Sequence, residues 1–190
     1  YIHWDEKIEK YKNQTGPIRR GIGMSIFWYN TAVWPISLET SACRMVLNQD
    51  GSIQLQVGET EIGQGADTAF AQMASEVLGI KFDDVHVVTV QDTDVTPFGT
   101  GAYASRQTYV AGFSIKQTGL LLKDKILERA QEMTRMEKAL LDIKDGNIVR
   151  KTDNRVLMSL GELATEALYS LTHSEHLTAE STYQIKSNAY

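Results

Sequence analysis

The chain has 190 residues, of which 42% are hydrophobic and 23% charged, a composition typical of a folded globular protein and not of a disordered one. Nineteen basic and twenty-four acidic residues give a formal charge of −5, which argues against general binding to nucleic acids or to anionic membranes. No apolar run approaches the ~20 residues that cross a bilayer. The first residue is not methionine, so we expect the chain to have been cut from a longer protein.

The cysteine content limits the chemistry further. Cys43 is the single cysteine, which excludes an internal disulfide and a thiolate metal cluster. It lies in an alternating run at residues 41–47, where a free cysteine usually serves as a small core hydrophobe. A reactive or ligating Cys43 is the alternative. A reducing, cytoplasmic location is consistent with this cysteine usage.

The first part of the chain predicts one helix and three strands. A charged stretch with helical spacing ends at Gly16-Pro17, which is a strong turn signal. The β-branched and aromatic run at 22–29 is bounded by glycine and predicts a strand. Two further strands, at 42–48 and 52–58, flank Asp50-Gly51, a dipeptide typical of tight hairpins.

The middle of the chain predicts two helices around a strand. Apolar residues at helical spacing predict a helix over 66–78, and a strand follows at 85–90. A long helical pattern runs from 104 to 135. Gly112 and Gly119 lie seven residues apart on one face of it and indicate a close approach of another backbone.

The last third predicts a hairpin over 140–151, a strand at 155–158, a helix opened by a capping box at Ser159 and a final strand at 177–186. Hairpins and helices without strict strand–helix–strand alternation predict an α+β fold, with helices packed on a mixed or antiparallel sheet.

We expect three parts: a leading segment (1–16), a main α+β domain (17–135) and a second small α+β portion (136–190). The last of these stops within its C-terminal strand.

The loop at 58–65 leads from a strand into the helix at 66–78. Gly63 and Gly65 allow a positive φ and a close approach of the backbone, and the helix start presents N–H groups and a positive dipole end. These features predict an anion site, for which phosphate is the commonest ligand. Gln64 adds a neutral donor and acceptor. The alternative is a tight turn with Gln64 in water.

The second loop, at 91–108, is longer than the ~12–15 residues of a purely connecting loop. Ser105 is a good N-cap for the following helix, and Arg106 offers a planar fork for phosphate oxygens. Gln107 adds another neutral donor and acceptor. The alternative is an ordinary capped helix with a surface arginine. Together the two loops suggest that two helix N-termini converge on one large polyanion.

The runs Glu59–Thr68 and Gly101–Gln107 together resemble the molybdenum-binding subunit of the xanthine dehydrogenase and aldehyde oxidase family, most of all its bacterial purine hydroxylases. Shorter similar runs lie at 21–24, 33–39 and 47–51. The resemblance implies the fold of an aldehyde oxidase-type molybdopterin-binding domain.

The resemblance also implies a molybdopterin cofactor, in bacterial members often the cytosine dinucleotide form. The dithiolene of the cofactor holds the molybdenum, so no side chain of this chain is expected to ligate the metal. Gln64 is then expected at the molybdenum centre or the adjoining pterin, with Gly63 and Gly65 beside it. The second cofactor loop is matched by five consecutive residues: Tyr103, Ala104, Ser105, Arg106 and Gln107.

By the same resemblance, Trp34 falls where relatives place an aromatic ring that sandwiches the substrate, the alternative being a buried structural tryptophan. The family's reaction is oxidative hydroxylation of a heteroaromatic or aldehyde carbon with oxygen from water. The implied partners are the remaining domains of the same subunit, iron–sulfur and flavin (FAD) subunits, and a heteroaromatic substrate.

The glutamate that acts as general base in relatives belongs to a downstream motif that has no match here, so we expect the isolated chain to be inactive. Glu59, Glu61 and Asp67 are expected to face solvent, because a carboxylate would repel the phosphate of the predicted anion site. Alternatives to a purine hydroxylase are an aldehyde or nicotinate hydroxylase, and a non-catalytic binding or assembly module that kept the fold.

Overall fold

The computed structural model of the chain describes residues 2–29, 31 and 39–185. Its helices are α1 (Trp4–Lys12), α2 (Ala66–Leu78), α3 (Gly112–Thr134) and α4 (Leu160–Tyr169). Its strands are β1 (Thr40–Leu47), β2 (Ile53–Val57), β3 (Val85–Val87), β4 (Leu141–Lys144), β5 (Asn147–Arg150), β6 (Arg155–Ser159) and β7 (Thr178–Gln184). A π-helical turn, Gln107–Ala111, leads directly into α3.

The strands form two sheets, one in the order β3-β2-β1-β7 and one in the order β4-β5-β6. Only the β2–β3 pairing is parallel among these described strands, so the larger sheet is mixed and the predicted α+β class is confirmed. β7 pairs with β1 along its whole length, from Thr40 opposite Gln184 to Val46 opposite Thr178. The larger sheet therefore runs across residue 135, and the predicted division at that residue stays a prediction.

The inner face of β1 forms the centre of one hydrophobic core. Cys43, Met45 and Leu47 are fully buried at the two-residue period of a strand, and α3 packs against β1 while α2 packs on α3 in the same core. The same core continues into the second sheet and α4, where Ile148 and Leu163 are fully buried. Within the described ranges, none of the helices has the length and apolarity that crossing a membrane requires.

Several local predictions are confirmed. Asp50-Gly51 turns β1 into β2, with Gly51 at φ 87° and the Asp50 carboxylate accepting the Ser52 N–H at 2.9 Å. A Cβ at Gly119 would lie 2.7 Å from Val77 Cγ1, so α2 and α3 do approach closely at this glycine. The capping box at Ser159 is confirmed, because both of its hydrogen bonds with Glu162 are present.

The prediction of a strand over 22–29 is wrong, since none of these residues lies in a strand. Ile26, Phe27 and Trp28 are 87%, 87% and 88% exposed. The physical reason is that a strand needs a partner for its backbone N–H and C=O groups. The described strands of both sheets pair with one another, and none of them pairs with residues 22–29.

Candidate functional site

The first predicted loop follows β2 and forms a tight turn that its own glutamate closes. Gly63 and Gly65 have φ values of 97° and 86°, as their residue type allows. The Glu61 carboxylate accepts the N–H groups of Gly63 at 2.7 Å, Gly65 at 3.0 Å and Asp67 at 3.0 Å. The main-chain donors that the sequence assigned to an anion therefore hold a carboxylate of the chain itself, and Glu61 does not simply face solvent.

The carboxylates of Glu61 and Asp67, both at this turn, have pKa values shifted in opposite directions. Hydrogen bonds from the main chain, first from Gly65 and then from Asp67, lower the pKa of Glu61 below its ordinary value. Burial, and then the negative charge of Glu61, raise the pKa of Asp67. The start of α2 thus already carries one well-solvated anion at its positive end.

Gln64 points back into its own loop and across to the second one. Its Oε1 accepts the Ile62 N–H at 2.7 Å, and its Nε2 donates to the Thr60 carbonyl at 3.2 Å. Nε2 also donates to Oε1 of Gln107. Gln107 is 9% exposed and donates its own Nε2 to the Thr60 carbonyl at 2.7 Å. The two loops therefore meet, and side-chain amides make the contact, while their convergence on a polyanion stays a prediction.

The second loop enters its helix differently from the prediction. Ala104 and Ser105 have φ values of 50° and 52°, a left-handed conformation that is rare outside glycine. Ser105 is not the N-cap, because the helical turn starts two residues later, after Arg106, which makes no side-chain cap. The Ala104 N–H donates to the Tyr29 hydroxyl at 2.9 Å.

Arg106 is fully buried, which corrects the prediction of a fork facing a phosphate. Its Nε donates to Glu39 Oε2 at 2.9 Å and its Nη1 to Glu59 Oε1 at 2.6 Å. Two carbonyls, of Gly101 at 3.0 Å and Thr40 at 2.6 Å, accept further bonds. Burial by itself would lower the pKa of Arg106, but the hydrogen bonds and charges of Glu59 and then Glu39 raise it.

Glu39 and Glu59 are functional candidates that the sequence reasoning missed, and Glu59 corrects the expectation of a solvent-facing carboxylate. Both are fully buried. The sequence did carry one signal for their burial, the two-residue alternation of each strand. Glu39 lies two residues before Ser41, and Glu59 lies two residues after Val57, so each continues the buried face of its strand. A buried carboxylate needs a partner, and Arg106 supplies one to each.

Between the two loops lies a cavity of about 350 Å³. The Tyr103 ring stands over the Arg106 guanidinium at 5.7 Å, close enough for a cation–π contact. The cavity brings together Gln64 and all five predicted residues of the second loop, but not Gly63 or Gly65. Its lining consists of Tyr29, Ile62, Gln64, Ala102, Tyr103, Ala104, Ser105, Arg106, Gln107 and Thr108. Trp34 lies outside the described residues.

The lining fits a neutral, polar ring better than a phosphate. It offers the side-chain amides of Gln64 and Gln107 and main-chain polar groups, which match the hydrogen-bonding edge of a pterin. The Arg106 fork is turned away, and Glu61 already occupies the amides of the first loop. Across the part of the chain that the structure describes, no group of three His, Cys, Asp or Glu side chains is placed to hold a metal.

The decisive comparison is with protein families. The sequence matches the family described as molybdopterin cofactor-binding domain over residues 1–190. The chain belongs to this family. The membership confirms the resemblance found in its sequence, and the cavity is lined by residues from both of the runs that carry this resemblance.

The relatives and solved structures agree with this membership. The molybdopterin-binding chain is 43% identical over 188 residues to the putative xanthine dehydrogenase molybdenum-binding subunit of Escherichia coli strain K12, which covers 98% of the chain and 25% of that relative. It is 31% identical over 153 residues to a probable hypoxanthine oxidase of the same organism, covering 80% of the chain and 16% of the relative.

Among solved structures, the quinoline 2-oxidoreductase of Pseudomonas putida 86 superimposes with a TM-score of 0.68 at 25% identity, over 76% of this chain and 19% of that one. The chain therefore spans about a quarter of the length of the first relative, or less in the other two.

Proposed function

We propose that the chain forms one wall of a molybdopterin cleft in a xanthine dehydrogenase-like enzyme that hydroxylates a purine carbon with oxygen from water. The observation that carries the proposal is the contact between Gln64 and Gln107 beside the 350 Å³ cavity. It joins the two sequence motifs that resemble the family, although they are far apart in the chain.

The amides of this contact are suited to hold and orient a pterin ring. A primary amide has two N–H bonds, and Gln107 uses one for the Thr60 carbonyl. The second N–H of Gln107 and a lone pair of Gln64 Oε1 are then available to a ring with donors and acceptors on its edge. When bound, the cofactor supplies the two-electron redox chemistry of its molybdenum.

The purine substrate is supported by the names of two relatives, a putative xanthine dehydrogenase subunit and a probable hypoxanthine oxidase. The first is named a molybdenum-binding subunit, which supports an assembly with further subunits. That these subunits carry iron–sulfur and flavin groups is part of the proposal. A cofactor in its cytosine dinucleotide form and a cytoplasmic location belong to the same proposal. The similarity to quinoline 2-oxidoreductase favours, as a second candidate, another nitrogen heterocycle as substrate.

The general base is proposed to come from outside this chain. Of the two carboxylates in the first loop, Glu59 is paired with Arg106, and Glu61 accepts three main-chain N–H groups. A carboxylate that is held in this way is a poor acceptor for a substrate proton. We therefore expect the 190-residue chain to bind the cofactor and to show no hydroxylase activity alone.

The test is cofactor retention by the purified chain from a host that makes molybdopterin. Pterin is measured by the fluorescence of its oxidised product, and molybdenum by elemental analysis. We expect close to one pterin per chain, a loss of about tenfold or more in Gln107→Leu, and no loss in Gln117→Leu, a change at an exposed position of α3. A folded chain that retains no pterin would contradict the proposal.

A further inference from the structure

The buried ion cluster beneath the cavity connects three separate segments of the chain. Arg106 lies in the second loop directly before its helical turn, Glu59 lies in the first loop, and Glu39 precedes β1. Glu39 is separated from Arg106 by 67 residues and Glu59 by 47. All three side chains are fully buried. A contact at this point therefore determines how the two loops lie relative to each other.

The guanidinium is committed to the protein. Its five N–H groups include one on Nε, which meets Glu39, and two on Nη1, which meet Glu59 and the Gly101 carbonyl. Nη2 donates to the Thr40 carbonyl. A fork with four of its five donors used and no exposed surface cannot also clamp a ligand phosphate.

The backbone around the cluster is equally constrained. A Cβ at Gly58 would lie 2.3 Å from the Gly99 nitrogen, and one at Gly99 would lie 2.5 Å from the Gly58 carbonyl carbon. The chain thus crosses itself one residue before Glu59, next to the loop that leads to Arg106. Glu59 Oε2 accepts the Gly101 N–H at 3.3 Å, which ties the crossing to the ion cluster.

We infer that Arg106 is a positioning residue of the cofactor cleft: through Glu59 and Glu39 it holds the two loops at the separation the cofactor requires, without touching it. The inference rests on the proposed function for its consequence in cofactor binding. Its structural half, the fixing of both loops, stands on the contacts alone and is tested separately.

The cluster has one positive and two negative charges, so a test variant should remove a carboxylate and not the guanidinium. Loss of the Arg106 guanidinium would leave two carboxylates buried without a cation, which is strongly destabilising. Glu59→Met leaves Arg106 and Glu39 as a neutral pair and removes both bonds by which Glu59 ties the first loop to the second, at Arg106 and at the Gly101 N–H. Glu59→Gln keeps an acceptor, and Glu180→Met removes a carboxylate from the exposed Arg44–Glu180 pair as a matched control.

The first readout is hydrogen exchange in the cofactor-free 190-residue chain. We expect exchange in peptides covering 60–66 and 99–108 to accelerate by about tenfold or more in Glu59→Met, less in Glu59→Gln, and not in Glu180→Met. Exchange in the hairpin of β4 and β5 should be unchanged in all three. Unchanged exchange in both loops of Glu59→Met overturns the inference, whether or not the chain binds cofactor.

The second readout is cofactor retention, measured as above, and it separates positioning from direct binding. A positioning role predicts that Glu59→Met loses pterin and that Glu59→Gln recovers part of it. A direct phosphate role predicts the opposite for Glu59→Met, because the freed guanidinium would then bind anions better. Equal or higher retention in Glu59→Met overturns the inference, and absence of pterin from the unmodified chain contradicts only the proposed function.

Discussion

Gln64 donates its side-chain amide to Oε1 of Gln107, 43 residues further along the chain, and both residues also bond to the carbonyl of Thr60. One carbonyl oxygen therefore serves two amides that come from different loops. Both loops owe part of their conformation to this shared acceptor, so a change in either glutamine affects the other loop.

Gln107→Leu should lower the free energy of unfolding by about 1–2 kcal/mol, because it removes two hydrogen bonds of a largely buried side chain. Urea denaturation followed by circular dichroism gives the number. Gln117→Leu is the control at an exposed position of α3, and it should stay within about 0.5 kcal/mol of the unmodified chain. A Gln107→Leu variant as stable as the control would show that the shared acceptor contributes little.

Gly99→Ala should destabilise the fold by about 3 kcal/mol or more. The new Cβ would lie 2.5 Å from the Gly58 carbonyl, and this contact joins two backbone segments, so no side chain can move to relieve it. Gly23→Ala is a suitable comparison, because nothing lies within 4 Å of its Cβ position and its φ is not positive. Thermal unfolding of the two variants should separate them clearly. If their transition temperatures coincide, the two loops do not cross as closely as described.

Gly119→Ala should also destabilise, by about 1–3 kcal/mol, because its Cβ would meet Val77 Cγ1 at 2.7 Å across the α2–α3 interface. The clash involves the end of a side chain, so it should be relieved by shortening that side chain. In a double-mutant cycle, Gly119→Ala with Val77→Ala should be more stable than the sum of the single effects by about 1 kcal/mol or more. Simple additivity would count against this packing.

Glu61 should make stability depend on pH in a defined direction. Its pKa in the folded chain is lowered from 4.5, so its stabilisation is complete above pH 4.5 and is lost as the pH falls through the lower folded value. Glu61→Gln should therefore lower the melting temperature at pH 7, and the difference should shrink toward zero on acidification. Glu76→Gln, at an exposed position of α2, is the control for loss of a carboxylate as such. A gap that is constant with pH would refute this assignment.

Cys43 should be inert in the folded chain. Burial raises the pKa of its thiol to about 12, so almost no thiolate forms at pH 8. Labelling with a thiol-specific disulfide reagent should be no faster than global unfolding in buffer and should become rapid in urea. Fast labelling of the native chain would mean that β1 opens locally, and would favour a reactive cysteine over the structural role that its burial supports.

Features with local causes were predictable. The bounds of α2 agree with the predicted 66–78, because apolar spacing and a terminal glycine act within a few residues of each other. The same holds for the turn at Asp50-Gly51 and for the capping box at Ser159, whose partners lie two and three residues away. The meeting of the two loops was suggested both by their features as helix starts and by the family resemblance.

Features with distant causes were not predictable. Arg106 was expected to face a ligand because its charge and its position at a helix start suit phosphate. It is buried because two carboxylates, at 39 and 59, meet it in the fold, and no signal near residue 106 indicates either one. Residues 22–29 have the composition of a strand, yet strand formation depends on an available sheet edge, which a single segment does not reveal.

The pairing of β7 with β1 has a consequence for synthesis on the ribosome. β1 is made well before β7, its partner on one side, because the register joins Thr40 to Gln184 and Val46 to Thr178. Until then one side of β1 presents unpaired backbone groups that can join the edge of another nascent chain. Such long-range pairing is formed slowly, so this side of β1 stays unpaired for longer than the side that faces β2.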